Sequence, residues 1–218
     1  MTNIREREEA LFAEWRHNRT GFAADGAIDE SAFLASRPRI MLIMKEVNDP
    51  DGALKDLREF VRNGGRPQTW DNVARWLIGI RRLPAEIAWK DIEKISLQQR
   101  VEELRSIVVM NLKKSPGSHT TNVNALHRAA EEDREFLSAQ FNLYAADLVI
   151  CCGRDVSQAF HAQVHGMQDC PWRQTSRGIW YHRLDSGAVV VSYAHPEARV
   201  ADSLVFYGMV DAVSEIGV

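Results

Sequence analysis

Four short runs of apolar residues alternate with longer segments that have helical periodicity. The apolar runs cover residues 39–44, 106–110, 147–152 and 188–193. Apolar runs of this length predict strands that are buried on both faces, as in a parallel sheet. A further β run at 178–184 precedes Asp185-Ser186-Gly187, which predicts a hairpin. The intervening segments predict helices at 3–18, 53–63, 97–105, 122–144, 156–164 and 201–213, with another through Val73 and Ile80.

Strands that alternate with helices predict an α/β fold, here a three-layer α/β/α sandwich with a mainly parallel central sheet. The 218 residues suit a single domain, 1–218. Only helical patterns occur at about 53–105, which is longer than a minimal crossover and predicts a helical insertion. Thr69 or Asp71 is a candidate cap for its second helix. Residues 19–38 read as a linker with a short helical turn.

Composition narrows the class of protein. The net charge is −3, so any contact with nucleic acid has to come from a local basic patch. No signal-peptide pattern and no membrane-length apolar segment occurs, which predicts a cytoplasmic protein without a membrane partner. Three cysteines argue against a disulfide framework. The sequence predicts no particular oligomeric state.

Three of the apolar runs end in polar residues and a proline. The first is followed by Lys45-Glu46-Val47-Asn48-Asp49-Pro50, the second by Asn111-Leu112-Lys113-Lys114-Ser115-Pro116, and the third by Ala194-His195-Pro196. The carboxyl ends of parallel strands share one edge of the sheet, and ligands bind there. The three signatures therefore predict one site.

The order of these signatures resembles the uracil-DNA glycosylase superfamily. That resemblance implies a uracil-DNA glycosylase-like fold and hydrolysis of the N-glycosidic bond of uracil, or a related base, flipped out of DNA. It implies DNA or a nucleotide-like ligand as the partner, and chemistry without a metal or cofactor. Some bacterial members carry a four-cysteine iron–sulfur cluster, which three cysteines cannot supply.

The second and third signatures carry the most specific residues of this resemblance. Asn111 stands where the superfamily reads the base edge, and an amide can both donate to and accept from that edge. His195 stands where the superfamily supports negative charge on the leaving base. Glu197 replaces the usual serine after His-Pro. The basic residues expected to contact phosphate are Lys113, Lys114 and Arg199, the last compensating for Glu197. A strand-capping Asn and a loop His are the simpler alternatives.

The first signature departs from the superfamily because it lacks a glycine. In one alignment Glu46 matches a glutamate of the iron–sulfur branch, and Val47 takes the water-activating position. In the other, which aligns the prolines, Asp49 takes that position. Asn48 is a further candidate for positioning water or contacting the base. A plain Asn-Asp-Pro turn is also compatible with the pattern.

Trp70 is the candidate for stacking on the base, although a Trp at a helix start is often a core residue. The missing glycine, Val47 and Glu197 favour an alternative function, a catalytically inactive nucleotide or nucleic-acid binding module on the same fold. Cys152 together with His195 suggests a cysteine hydrolase, but a cysteine at a strand end is more often a small buried hydrophobe.

Overall fold

The computed structural model describes residues 3–17, 19, 21–49, 51–117, 122–164 and 169–218. Within them, seven strands form one sheet in the order β1-β3-β2-β4-β7-β6-β5. The central strands β3, β2, β4 and β7 are parallel, whereas β1, β6 and β5 join the edges antiparallel. The strands are β1 (Gly26–Ala27), β2 (Ile40–Met44), β3 (Ile107–Asn111), β4 (Leu148–Cys152), β5 (Arg173–Gln174), β6 (Trp180–Arg183) and β7 (Val189–Tyr193). The predicted α/β class with a mostly parallel sheet is confirmed.

The helices of the described residues pack on both faces of this sheet. They are α1 (Ile4–Trp15), α2 (Glu30–Ala35), α3 (Leu57–Arg62), α4 (Pro67–Arg82), α5 (Leu97–Leu104), α6 (Val123–Glu132), α7 (Arg134–Phe141), α8 (Arg154–Gln163) and α9 (Asp202–Ile216). A short 3-10 turn, Trp89–Asp91, lies between α4 and α5. None of the described helices has the length and apolar character needed to cross a membrane.

Alternate residues of the central strands enter two separate cores. Ile40 and Leu42 of β2 pack in the core that contains α3, α4 and α9. Met41 and Ile43 pack in the opposite core with α1, α6, α7 and α8. Because both faces are covered, a strand with the ordinary polar alternation would bury polar groups without partners. This is why the central strands are continuous apolar runs.

The structure corrects three predictions about the helical segments. The segment 122–144 forms two helices, α6 and α7, because Asp133 leaves the helical conformation and is buried in an ion pair with Arg19. The segment 19–38 contains β1 and α2. The cap of α4 is Arg66, and Pro67 occupies the first helical turn, so Thr69 and Asp71 lie inside the helix.

A buried ion pair ties the N-terminal third of the chain to the end of β3. The Lys114 Nζ lies 2.7 Å from each carboxylate oxygen of Asp25, and both side chains are fully buried. Burial lowers the pKa of Lys114, and the charge of Asp25 opposes that shift. The ammonium also lies 4.8 Å from the centroid of the Trp15 ring. Neither charge has access to water, so each depends on the other.

We expect Lys114→Met to lower the free energy of unfolding by about 3–5 kcal/mol, because it leaves the Asp25 carboxylate buried without its counter-ion. Urea denaturation followed by circular dichroism measures this. Lys90→Met is the matched control, since Lys90 is exposed and forms no ion pair among the described residues. Its effect should stay within about 0.5 kcal/mol. Equal stabilities of the two variants would contradict a structural role for the pair.

Candidate functional site

A cavity of about 600 Å³ opens at the carboxyl ends of the parallel strands. From β2 the chain continues to β3 on one side of it, and from β4, on the other side of β2, it continues toward β7. The strand order therefore reverses beside β2. Crevices at such reversal points are the usual ligand sites of open α/β sheets. Segments that are distant in sequence line this one: the loop after β2, helices α3 and α4, Asn111, and the loop after β7.

Asn111 is the last residue of β3 and lines the cavity although it is only 2% exposed. Its backbone N–H donates to Asp25 Oδ2 at 2.8 Å, which fixes the end of the strand. Its side-chain Nδ2 is buried and has no hydrogen-bond partner among the described residues. A buried amide donor without a partner is costly, and a ligand acceptor in the cavity would remove that cost.

The loop after β2 is joined to the loop after β3 by backbone hydrogen bonds. Lys113 N–H donates to the Lys45 carbonyl at 2.8 Å, and Gly117 N–H donates to the Val47 carbonyl at 2.9 Å. The Glu46 side chain pairs with Lys113 and is 7% exposed. A Cβ on Gly117 would overlap the Glu46 carboxylate, so only glycine allows this approach. These contacts hold a carboxylate at the cavity wall.

The other polar residues of this loop are placed differently. Asp49 also lines the cavity, but its Oδ2 accepts the Leu54 N–H at 2.7 Å, as in a turn. Asn48 lies at the cavity and is exposed, and Val47 is buried. Pro50 lies outside the described residues. The side chain of Glu46 is therefore the more enclosed of the two predicted carboxylates.

His195 follows β7 and faces the cavity from the opposite side. Its Nδ1 accepts the backbone N–H of Glu197 at 3.1 Å, so the neutral ring carries its proton on Nε2. Burial lowers the pKa of His195 below its ordinary value; Lys45 and Arg66 add to this effect, while Glu197 opposes it. At neutral pH the side chain is thus an uncharged hydrogen-bond donor.

The negative charge of Glu197 is balanced by residues on the other side of the cavity mouth. Its carboxylate accepts hydrogen bonds from Arg66 and Thr69 of the α4 N-terminal region. Burial alone would raise the pKa of Glu197, but these bonds hold it below the ordinary value. Arg199, predicted to compensate for this charge, is exposed and does not line the cavity. The compensating cation is Arg66, which the Gly-Gly-Arg-Pro loop brings to the site.

Within the described ranges, the rings of Trp70 and Phe60 line the cavity. Trp70 on α4 belongs to the core and also forms part of the wall, so both interpretations of this residue are compatible with its position. A Cβ on Gly65 would overlap the Trp70 ring, which shows how closely the preceding loop approaches the indole. Phe60 on α3 also lines the cavity and stays partly exposed. Sequence reasoning missed Phe60 because its spacing with Leu57 and Val61 reads as an ordinary helix face.

The three basic residues predicted to contact phosphate do not form one patch. Lys113 pairs with Glu46 beside the cavity. Lys114 is fully buried against Asp25, so the phosphate contact predicted for it is wrong. Two cations that were not predicted, Lys45 and Arg66, line the cavity directly.

Cys152 is buried at the end of β4, and burial raises the pKa of its thiol to about 12. A thiol that stays protonated at neutral pH is a poor nucleophile. Cys152 is also absent from the cavity wall that contains His195. The position therefore fits the small buried hydrophobe rather than the cysteine nucleophile.

We expect Glu197→Gln to lower the pKa of His195 further, because it removes the nearby anion that favours the imidazolium and leaves Arg66 unpaired. NMR titration of the His195 ring protons measures the shift. Glu86→Gln, at an exposed position outside the cavity, should leave the titration unchanged. A rise of the His195 pKa in the Glu197 variant would contradict the described electrostatics.

Comparisons with known proteins do not identify the family. No protein-family model matches this chain, and no curated protein matches it. Information about function therefore comes from the cavity, which has Asn111, Glu46 and His195 on its walls.

Proposed function

We propose that the protein is a DNA-base glycosylase of the uracil-DNA glycosylase type, which hydrolyses the N-glycosidic bond of uracil or a related base flipped out of DNA. The observation that carries this proposal is the buried Nδ2 of Asn111, which has no partner within the part of the chain that the structure describes and lines a cavity shared with a neutral His195. An amide donor without a partner is satisfied by a hydrogen-bond acceptor of the ligand. A neutral imidazole can donate a hydrogen bond to an atom on which negative charge develops.

A flipped pyrimidine matches the polar and apolar parts of the cavity. The Asn111 amide would donate to the O4 atom of uracil and accept from its N3–H. The rings of Trp70 and Phe60 offer apolar surface to the faces of the base. Stacking of this kind is worth about 1–3 kcal/mol per base. These contacts would offset the cost of taking the base out of the helix.

His195 would act when the glycosidic bond breaks. The electron pair of the bond between the sugar C1′ and the base N1 passes to the base, and negative charge develops on its O2 atom. A neutral Nε2–H donor can stabilise that charge without transferring its proton. Water then adds to the cationic sugar carbon, and its proton passes to a carboxylate or to the departing base. The products are the free base and an abasic site.

The contacts favour Glu46 over Asp49 as the carboxylate that orients water. Glu46 is held in place by Lys113 and lies against Gly117, so its position is fixed before substrate binds. Asp49 Oδ2 is committed to the Leu54 N–H. A carboxylate near the cationic sugar would also stabilise its charge.

We expect Asn111→Ala and His195→Ala each to reduce the excision rate by about 100-fold or more, because each removes one preorganised hydrogen-bond partner. Single- and double-stranded oligonucleotides with one labelled uracil, cleaved by alkali after incubation, report the abasic product. The pH profile of the wild-type protein should be flat above pH 6.5, the ordinary pKa of histidine. It should fall only at lower pH, where His195 becomes protonated.

Asn124→Ala and His17→Ala are matched controls, since both side chains are exposed and neither lines the cavity. They should keep wild-type excision. Excision that survives unchanged in the Asn111 and His195 variants, with all proteins folded, would exclude this site from catalysis.

One observation favours a second candidate function, a catalytically inactive nucleotide or nucleic-acid binding module. The Glu46 carboxylate is already paired with Lys113, and Val47 presents no polar group at the alternative water-activating position. Such a module would bind uracil, a nucleotide or DNA through the Asn111 cavity. Binding that is lost in Asn111→Ala, together with no abasic product from the wild type, would select this function.

A further inference from the structure

A second, larger cavity of about 1020 Å³ lies on the same edge of the sheet. Its walls come from the carboxyl end of β7, the start of β6, the start of α8 and the N-terminal part of α9. Ala194 lines this cavity, and the next residue, His195, lines the first one. The two cavities therefore adjoin at the carboxyl end of β7.

The second cavity presents an exposed aromatic surface. Trp180 begins β6 and is 48% exposed although it pairs with Ser192 of β7. Trp172 meets it edge-on, with ring centroids 6.5 Å apart and an interplanar angle of 82°. Trp172 in turn packs on His182 at a centroid distance of 3.6 Å. This support fixes Trp172, while the Trp180 indole keeps free surface for another flat ring.

A positive charge stands beside this aromatic surface. Arg154 is the first residue of α8, lines the cavity and is exposed. Among the described residues it forms no ion pair or side-chain hydrogen bond, unlike Arg66 at the first cavity. Gln158 and Ser192 add polar groups to the wall. A flat apolar surface next to an unpaired guanidinium is complementary to a nucleotide, which combines an aromatic base with an anionic phosphate.

We propose that the second cavity binds a nucleotide of single-stranded DNA close to the flipped one, with its base against Trp180 and its phosphate near Arg154. That the bound strand is DNA rests on the proposed function. A short unstacked segment can cross the distance between the cavities around His195. A base can reach an indole inside a cavity only when it is unpaired, so this subsite favours single-stranded over double-stranded substrate.

Binding of a uracil-free strand tests the subsite separately from catalysis. The probe is a fluorescent oligothymidylate of about eight nucleotides, and its anisotropy gives Kd at several salt concentrations. We expect Trp180→Ala to weaken binding about tenfold, and Trp180→Phe to retain most of it. Arg154→Ala should weaken binding and reduce the slope of log Kd against log salt by about one.

Tyr207→Ala and Arg128→Ala are the matched controls, since both residues are exposed and neither lines either of these two cavities. Thermal unfolding verifies that each variant folds. Equal affinities of the wild type and Trp180→Ala would overturn the subsite, whether or not excision occurs. Loss of affinity in Trp180→Ala without uracil excision by the wild type would support the subsite and reject the glycosylase. Failure of the wild-type protein to bind the probe would overturn the subsite, and excision of uracil would then still support the glycosylase.

Discussion

The buried Asp25 carboxylate is the constraint on which the rest of the site depends. Its two oxygens accept from the Lys114 ammonium, from Gln140 Nε2 at 2.7 Å, and from the backbone N–H of Asn111. One anion thus joins β1, β3 and α7 where no water can compete for its hydrogen bonds. Because the Asn111 backbone is fixed in this way, the position of its side-chain amide at the cavity is also fixed. The N-terminal segment that carries Asp25 is therefore part of the support of the site.

Around this support, the cavity is built from opposite charges that largely cancel. Lys113 pairs with Glu46 on one wall, and Arg66 pairs with Glu197 at the mouth. Two uncharged side chains of the cavity keep unused hydrogen-bonding capacity, the Asn111 amide and the neutral His195. Such groups suit a neutral ligand that becomes negatively charged during reaction, and Lys45, which also lines the cavity, adds a positive charge that favours this change. The electrostatics are consistent with the proposed departure of a base.

The sequence predicted the central strands and the cluster of Asn111, His195, Glu46 and Asp49 at one edge, because apolar runs and strand order report burial directly. It could not predict the partners of charged side chains. Lys114 looks like a surface cation beside Lys113, yet only the fold reveals Asp25 beneath it. The break at Asp133 likewise depends on Arg19, which is remote in the chain. Tertiary ion pairs of this kind leave no local periodicity to read.

The contact between Gly117 and Glu46 also restricts how this sequence can vary. The glycine leaves room for a carboxylate that a single methyl group would displace. A side chain at position 117 would move the Glu46 carboxylate from its present place, whereas a shorter residue at position 46 leaves room for a side chain at 117. The identity of the residue at one of these positions therefore limits which residues the other can carry without moving the carboxylate.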